Sequence, residues 1–273
     1  MTIPAVVAHG GAGPGPVRQK NLEIAVQKAA DILTSGGSAL EAAIEACVIL
    51  EDDPVFNAGT GSIIRTDGSV LTDASIQTGD GRIGFVIAME DTPNPIRVAA
   101  DLLDEEINGL TSAGARLWAD QKGYLKAEVE GRSPEGQIGD INAEITGDTV
   151  GVIARDIDGM VVVATSTGGC SFRPPGRVGD VALPGSGFWA EDDLAVAATG
   201  IGEAITRALL SNRVFERIRN SGDSMESSME WGIKTLISPE FSVGLIALGA
   251  TGPGIGVANT DMPWATWEAS SSD

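Results

Sequence analysis

Histidine occurs once in these 273 residues, tyrosine once, cysteine twice and lysine five times. Each scarcity closes off a chemistry. Cys47 and Cys170 provide no disulfide framework and fit a reducing compartment. Even with His9 they cannot assemble a Cys/His zinc site of standard spacing, and HExxH is absent. A triad with an imidazole base has one candidate, His9, at the end of an apolar run beside glycines. A structural histidine suits that place better than a general base. A hydrolase built from this chain therefore needs another base. Apolar residues make up 42% of the chain. No run approaches the roughly 18 uncharged residues of a membrane span, so no membrane partner is expected. The opening "MTIPAVVAHGGAG" lacks a basic stretch followed by an apolar one, and a cytoplasmic protein without a secretory signal is expected.

Positive charge is also scarce. Eighteen basic residues face 38 acidic ones, a net charge of −20. Nucleic acid, which requires a basic patch, is excluded as a partner. The acids stand in short clusters ("EDD", "DEE") rather than in a tail. Self-repulsion on this scale is relieved by salt, so the composition suggests a halophilic, high-salt cytosol. Plain solubility is the competing explanation.

What is present reads as α+β. "PAVVA" (4–8) is a strand feeding "HGGAGPGP", and 17–34 has helical spacing stopped by Gly36-Gly37. "SALE" (38–41) is a capping box opening a helix to about Leu50. A loop, "DPVFNAGTGS", precedes strand-like runs at 62–65, 69–76 and 83–89, then helices near 95–105 and 111–122. Residues 123–147 lack periodicity and read as a mobile loop. Runs at 149–155 and 160–166 form a hairpin turned by "DIDG". A strand at 194–199, helices over about 200–218 and 225–237, and strands near 241–248 and 254–259 follow. Strands and helices come in blocks, which favours layered α+β over a doubly wound sheet.

The glycine-rich stretches match neither GxxxxGK[ST] nor GxGxxG, and Pro14 removes a donor a phosphate would use. They suit close approach of backbone to a small ligand. The threonines remain. "TGDTVGVIARD" opens a strand on Thr149, and "TSTGG" follows from Thr165. Their bland explanation is β-branched packing. The sharper one is an N-terminal threonine, whose own α-amino group has a pKa of about 7.7–8.0 and can act as base after the chain cuts itself.

"HGGAG", "FNAGTGS", "GDTVGVIARD", "TSTGG", "GRVGD" and "AATGIGEA" stand in one order over residues 5–259. In that order and near spacing they resemble the plant-type L-asparaginase/isoaspartyl peptidase family of N-terminal-nucleophile hydrolases. The likeness is weakest over 106–147. It implies an αββα four-layer sandwich, one domain split at Asp148–Thr149 into chains 1–148 and 149–273. It also implies a homodimer of such αβ units.

Thr149 would be the nucleophile, with Thr167 beside it and Thr199 and Asn57 forming the oxyanion hole. Arg177 would clamp the substrate α-carboxylate and Asp180 its ammonium, with Gly200 and Gly202 lending backbone. Backbone of Leu50, Glu51, Asp53, Phe56, Ala58 and Thr60 would hold a structural sodium ion; no other cofactor is expected. Thr165 is expected only to pack. The implied substrates are L-asparagine and β-aspartyl dipeptides. Val181-Ala182 stand where the family usually has Ser-Pro, and Asp148 is also the habit of glycosylasparaginases. A glycosylasparaginase or an uncleaved amino-acid-binding protein therefore stays open as an alternative.

Overall fold

The computed structural model describes residues 2–13, 18–133 and 149–270. Strand β1 (Ala5–His9) leads into α1 (Gln19–Thr34) and α2 (Ala39–Asp52). Gly36, at φ +82°, turns the chain between the two helices. The Ser38 hydroxyl accepts from Glu41 N at 3.1 Å, so Ser38 caps the helix as its place in the motif predicts. Next come β2 (Thr72–Thr78), β3 (Ile83–Met89), α3 (Pro95–Asp101), β4 (Gly109–Thr111) and α4 (Ser112–Gln121). The second half holds β5 (Val150–Arg155), β6 (Val161–Thr167), β7 (Phe188–Glu191) and β8 (Leu194–Gly200). Helices α5 (Gly202–Ala208), α6 (Leu210–Asn220) and α7 (Met225–Trp231) follow, then β9 (Val243–Leu248), β10 (Ile255–Ala258) and β11 (Trp264–Glu268).

The strands form a seven-stranded sheet, β11-β1-β5-β6-β2-β3-β4, and a four-stranded sheet, β10-β9-β8-β7. Pairing is antiparallel except between β3 and β4. Strands β2, β5, β6 and β8 are buried along their whole length. That is why β5, β6 and β8 run largely apolar, whereas β2 alternates polar Thr72, Asp73, Ser75, Gln77 and Thr78 with Ala74 and Ile76. Side-chain alternation then sorts them. Val150, Val152, Val162 and Ala164 face α1 and α2. Val196, Ala198 and Leu245 face α5–α7. Ala5, Val7, Ile153 and Val163 meet Phe188, Ala195, Ala197 and Ile246 of the other sheet. The β5–β6 hairpin turns as "DIDG" predicts: Asp156 Oδ1 accepts from Asp158 N and Met160 N, and its Oδ2 takes Ala39 N at 2.9 Å. One side chain thus ties the turn to the start of α2.

The structure departs from expectation in several places. Residues 62–65 make only isolated bridges, Ile63 to Arg132 and Ile64 to Val70. The helix expected over 200–218 breaks at Leu209, which is left-handed (φ +48°). The one expected over 225–237 leaves α geometry at Gly232 for a wider turn to Leu236. Neither β7 nor β11 was expected. β11 is half exposed, pairs with β1 and is the edge strand of the larger sheet. Of the loop expected to be mobile, residues 123–133 are irregular backbone held partly by the Arg132 bridge. Residues 134–147 lie outside the described residues.

Candidate active site

The alternation that builds the inter-sheet core also builds the site. On β5, β6 and β8 the rows facing the opposite sheet are Gly151 and Ile153; Val163, Thr165 and Thr167; Ala195, Ala197 and Thr199. The β5–β6 register pairs Val150 with Ser166, so its continuation sets Thr149 opposite Thr167. Thr199 ends the corresponding row of β8. Arg177 and Asp180 stand against Gly202, just past Thr199, and lie within electrostatic reach of Asp73, the partner of Thr167. All three threonines therefore belong to one end of the cleft between the sheets, where the apolar rows turn polar. All are nearly or fully buried.

Each hydroxyl has a distinct environment. Thr167 Oγ1 accepts from Gly169 N at 3.0 Å, which leaves its proton free to donate. Thr199 Oγ1 is buried with no partner among the described residues. Asn57 uses its carboxamide on two sides: Oδ1 accepts from Ile63 N at 3.0 Å and Nδ2 donates to Gly169 O at 2.5 Å. An NH2 has two protons, so one remains. Thr165 does more than pack, contrary to expectation. Its hydroxyl shares a 2.6 Å bond with Ser75, and both reach Val181 O. A buried hydroxyl without a partner is costly, and these two satisfy each other. His9, paired with Gly151 across β1 and β5, is fully buried. Burial pushes its imidazole down to about 3, with the Thr149 backbone pulling the other way. At neutral pH it adds no charge beside Thr149. Asp148 lies outside the described residues.

Beyond β8, Arg177 and Asp180 meet the start of α5. A Cβ on Gly202 would stand 2.7 Å from Asp180 Oδ1 and 2.8 Å from Arg177 Nη2, so a larger residue there would push both side chains aside. Gly200 has φ +127° and packs on Ser242 O, a place for glycine on backbone grounds alone. Asp180 is buried, and desolvation raises its carboxyl to about 7 against the pull of its own backbone N–H and of Arg177. Arg177 is not free. It forks onto Glu203, Nε to Oε1 at 3.2 Å and Nη2 to Oε2 at 2.8 Å. Arg173 adds a 3.5 Å contact to the same carboxylate. Glu203 had no role in the sequence reading, although its motif "TGIGE" places an acid in the first turn of α5.

The loop between α2 and β2 is shaped by carbonyls. A Cβ on Gly59 would stand 2.5 Å from Glu51 O, and one on Gly61 would be 2.6 Å from Pro54 O and collide with Phe56 O. Beneath this loop the Glu51 side chain is fully buried. Its Oε1 accepts from Ile96 N at 3.2 Å and its Oε2 has no partner among the described residues. Burial raises this carboxyl to about 8; nearby Ser166, Ile96 N and Asn94 pull it down. A folded pKa above the unfolded one means the native state holds the extra proton. The resulting stability is complete below the unfolded pKa of 4.5 and is lost as pH rises toward 8. One such proton changes stability by about 1.4 kcal/mol per pH unit. Glu51→Gln should therefore gain on the wild type steadily between pH 5 and 8. Urea midpoints at four pH values test this, and a constant difference would refute it.

Two further buried charges escaped the sequence reading. Asp73 pairs with Thr167 across β2 and β6, and Arg65 lies against Gly169. A carboxylate inside the fully buried strand β2 was the available signal for Asp73. Nothing in the run "SIIRT" marked Arg65.

Comparison with known proteins points the same way. A family profile described as asparaginase matches residues 2–135 and 121–273. An isoaspartyl peptidase/L-asparaginase of Macaca fascicularis is 36% identical over 96% of this chain and 92% of its own length. A plant-type L-asparaginase of Pyrobaculum calidifontis is 33% identical over 90% and 91% respectively. An isoaspartyl peptidase/L-asparaginase of Nostoc sp. is 34% identical over 91% and 86%. With both halves matched and such similarity along nearly the whole chain, this protein belongs to the asparaginase family.

Proposed function

We propose that this protein is an autoprocessing threonine amidohydrolase that cleaves the side-chain amide of L-asparagine and β-aspartyl peptide bonds. The observation that carries the reading is the meeting of Thr149, Thr167 and Thr199 at one end of the inter-sheet cleft, beside the Arg177–Asp180 segment. The names of the relatives support the same chemistry.

In this reading, cleavage at Asp148–Thr149 frees the α-amino group of Thr149. That amine takes the proton of Oγ1 as the oxygen attacks the substrate β-carbonyl. The hydroxyl of Thr199 and the spare proton of Asn57 Nδ2 meet the developing oxyanion. Thr167 donates to the nucleophile and keeps its rotamer. The amine hands its proton to the departing nitrogen, and water then releases aspartate from the acyl-Thr149 ester. Arg177 takes the α-carboxylate, which must displace Glu203 from the guanidinium. Asp180 takes the ammonium, whose charge favours the ionised carboxylate. Fixing both ends of the head group holds the β-carbonyl against Thr149.

The stack of helices, two sheets and helices supports a single-domain four-layer αββα sandwich. The proposed assembly is a homodimer of αβ units. No cluster of three His, Cys, Asp or Glu suited to a metal exists among the described residues. The carbonyls crowding Gly59 and Gly61 suit a hard ion instead, and backbone of Leu50, Glu51, Asp53, Phe56, Ala58 and Thr60 would hold structural sodium. Two buried unpaired cysteines support a reducing cytoplasm.

Intact mass under denaturing conditions, followed by kcat/KM for L-asparagine, β-Asp-Leu and GlcNAc-Asn, tests the reading. The expected result is two species divided at Asp148–Thr149, with turnover of the first two substrates. Turnover of GlcNAc-Asn alone would make the protein a glycosylasparaginase. One persistent full-length species that binds aspartate would make it a binding protein.

A further inference from the structure

The mechanism above gives the buried cation Arg65 no task. Arg65 is 3% exposed, and only its Nη2 has a partner, Leu71 O at 3.3 Å. Its Nε and Nη1 have none among the described residues. A buried guanidinium with two empty donors is costly unless an anion or water completes it.

Its position points to the active site. The guanidinium covers Gly169 so closely that a Cβ there would collide with it. Gly169 is the residue on which Asn57 and Thr167 converge, through its O and N respectively. Arg177, Asp73 and Cys170 all lie within electrostatic reach of Arg65. Asp73, almost fully buried, does not neutralise it by direct bonding. Its Oδ1 takes Ala88 N at 2.7 Å and its Oδ2 is unpartnered among the described residues. Arg177 has the same sign and is engaged with Glu203. Arg65 and Arg177 therefore act on one region, and the Arg65 donors, closed to solvent in the empty site, have no bond to break when an anion reaches them.

We propose that Arg65 is a substrate-recognition residue that joins Arg177 in a two-arginine clamp on the α-carboxylate of the bound amino acid. Asp73 balances the Arg65 charge while the site is empty. This rests on the reading that the site holds an amino-acid head group. It goes beyond that reading in giving the carboxylate a second guanidinium, one that engages without displacing Glu203.

The test is calorimetric binding of L-aspartate and β-alanine to wild-type, Arg65→Met and Arg65→Lys proteins. β-Alanine keeps the ammonium and the distal carboxylate but lacks the α-carboxylate. A charge-assisted bond is worth about 1.5–3 kcal/mol, so Arg65→Met should weaken L-aspartate binding by about 10- to 150-fold. Arg65→Lys should fall between, since lysine keeps the charge but not the fork. β-Alanine binding should be unchanged by either. Equal losses for both ligands would mean that Arg65 only supports the fold around Gly169, and unchanged aspartate affinity would mean it touches no ligand; each overturns the proposal.

A crystal structure of the wild type with L-aspartate needs no variant. An α-carboxylate oxygen should lie about 2.7–3.2 Å from Nε or Nη1 of Arg65, and its absence from that reach would also overturn the proposal. Aspartate binding that depends on Arg65 in a protein that does not hydrolyse asparagine would sustain the clamp and refute the amidohydrolase reading.

Discussion

Thr149→Ala is expected to persist as one full-length chain and to lose hydrolysis of L-asparagine by a factor on the order of 10⁶, the scale on which removal of a covalent nucleophile acts. The two losses share a cause. The side-chain oxygen that attacks the substrate would also attack the preceding carbonyl during processing, and alanine supplies none. Folding should survive, because Thr149 precedes β5 and its removal deletes one hydroxyl at a cleft end. Thr149→Ser should process and retain part of the activity. The pH profile should carry the same logic. The α-amine acts as base only when neutral, near its reference pKa of about 7.7–8.0, and neutral His9 next to it does not repel its proton. Asp180, raised to about 7, must ionise to meet an ammonium. Both effects make kcat/KM fall as pH drops from 8 toward 6. Turnover by Thr149→Ala, measured on protein freed of host asparaginase, would end the threonine mechanism.

The second large effect is expected at Thr199. Valine there keeps the branched shape that β8 packs and removes one hydroxyl. That hydroxyl is buried and has no partner among the described residues, so the fold gains little from it. Stability should hold or rise slightly, while kcat drops by about 10²- to 10³-fold, the usual cost of losing one oxyanion donor. KM should move little, since ground-state binding uses the head group. A parallel fall in Tm and kcat would identify Thr199 as a packing residue. Asn57 is a poorer probe, because its carboxamide also joins Ile63 N to Gly169 O and any substitution disturbs the loop.

Local chemistry made much of this protein legible in advance. Ser38 and Glu41 mark a helix start because a capping hydroxyl and the N–H it accepts lie three residues apart. "DIDG" marks a turn because aspartate bonds its own backbone and glycine accepts positive φ. The motif threonines were legible for a related reason: β5, β6 and β8 are buried throughout, so polar residues at their ends stand out against apolar runs. β11 was not legible, since five half-exposed residues, Trp264 to Glu268, acquire a strand role only when β1 supplies an edge to pair with. The break at Leu209 was not legible either, because an apolar residue in left-handed geometry is sustained only by surrounding packing.

Most of the elements, the α+β class and the threonines proposed for the chemistry could thus be read from the chain alone. Those depend on interactions a few residues long, or on the scarcity of histidine and cysteine. Only the tertiary structure decided the charge pattern of the site. Arg177 meets Glu203 across 26 positions, and Arg65 meets Gly169 more than a hundred residues further along the chain. Such pairings between distant strands and loops follow from sheet register and layer packing, which no local pattern encodes.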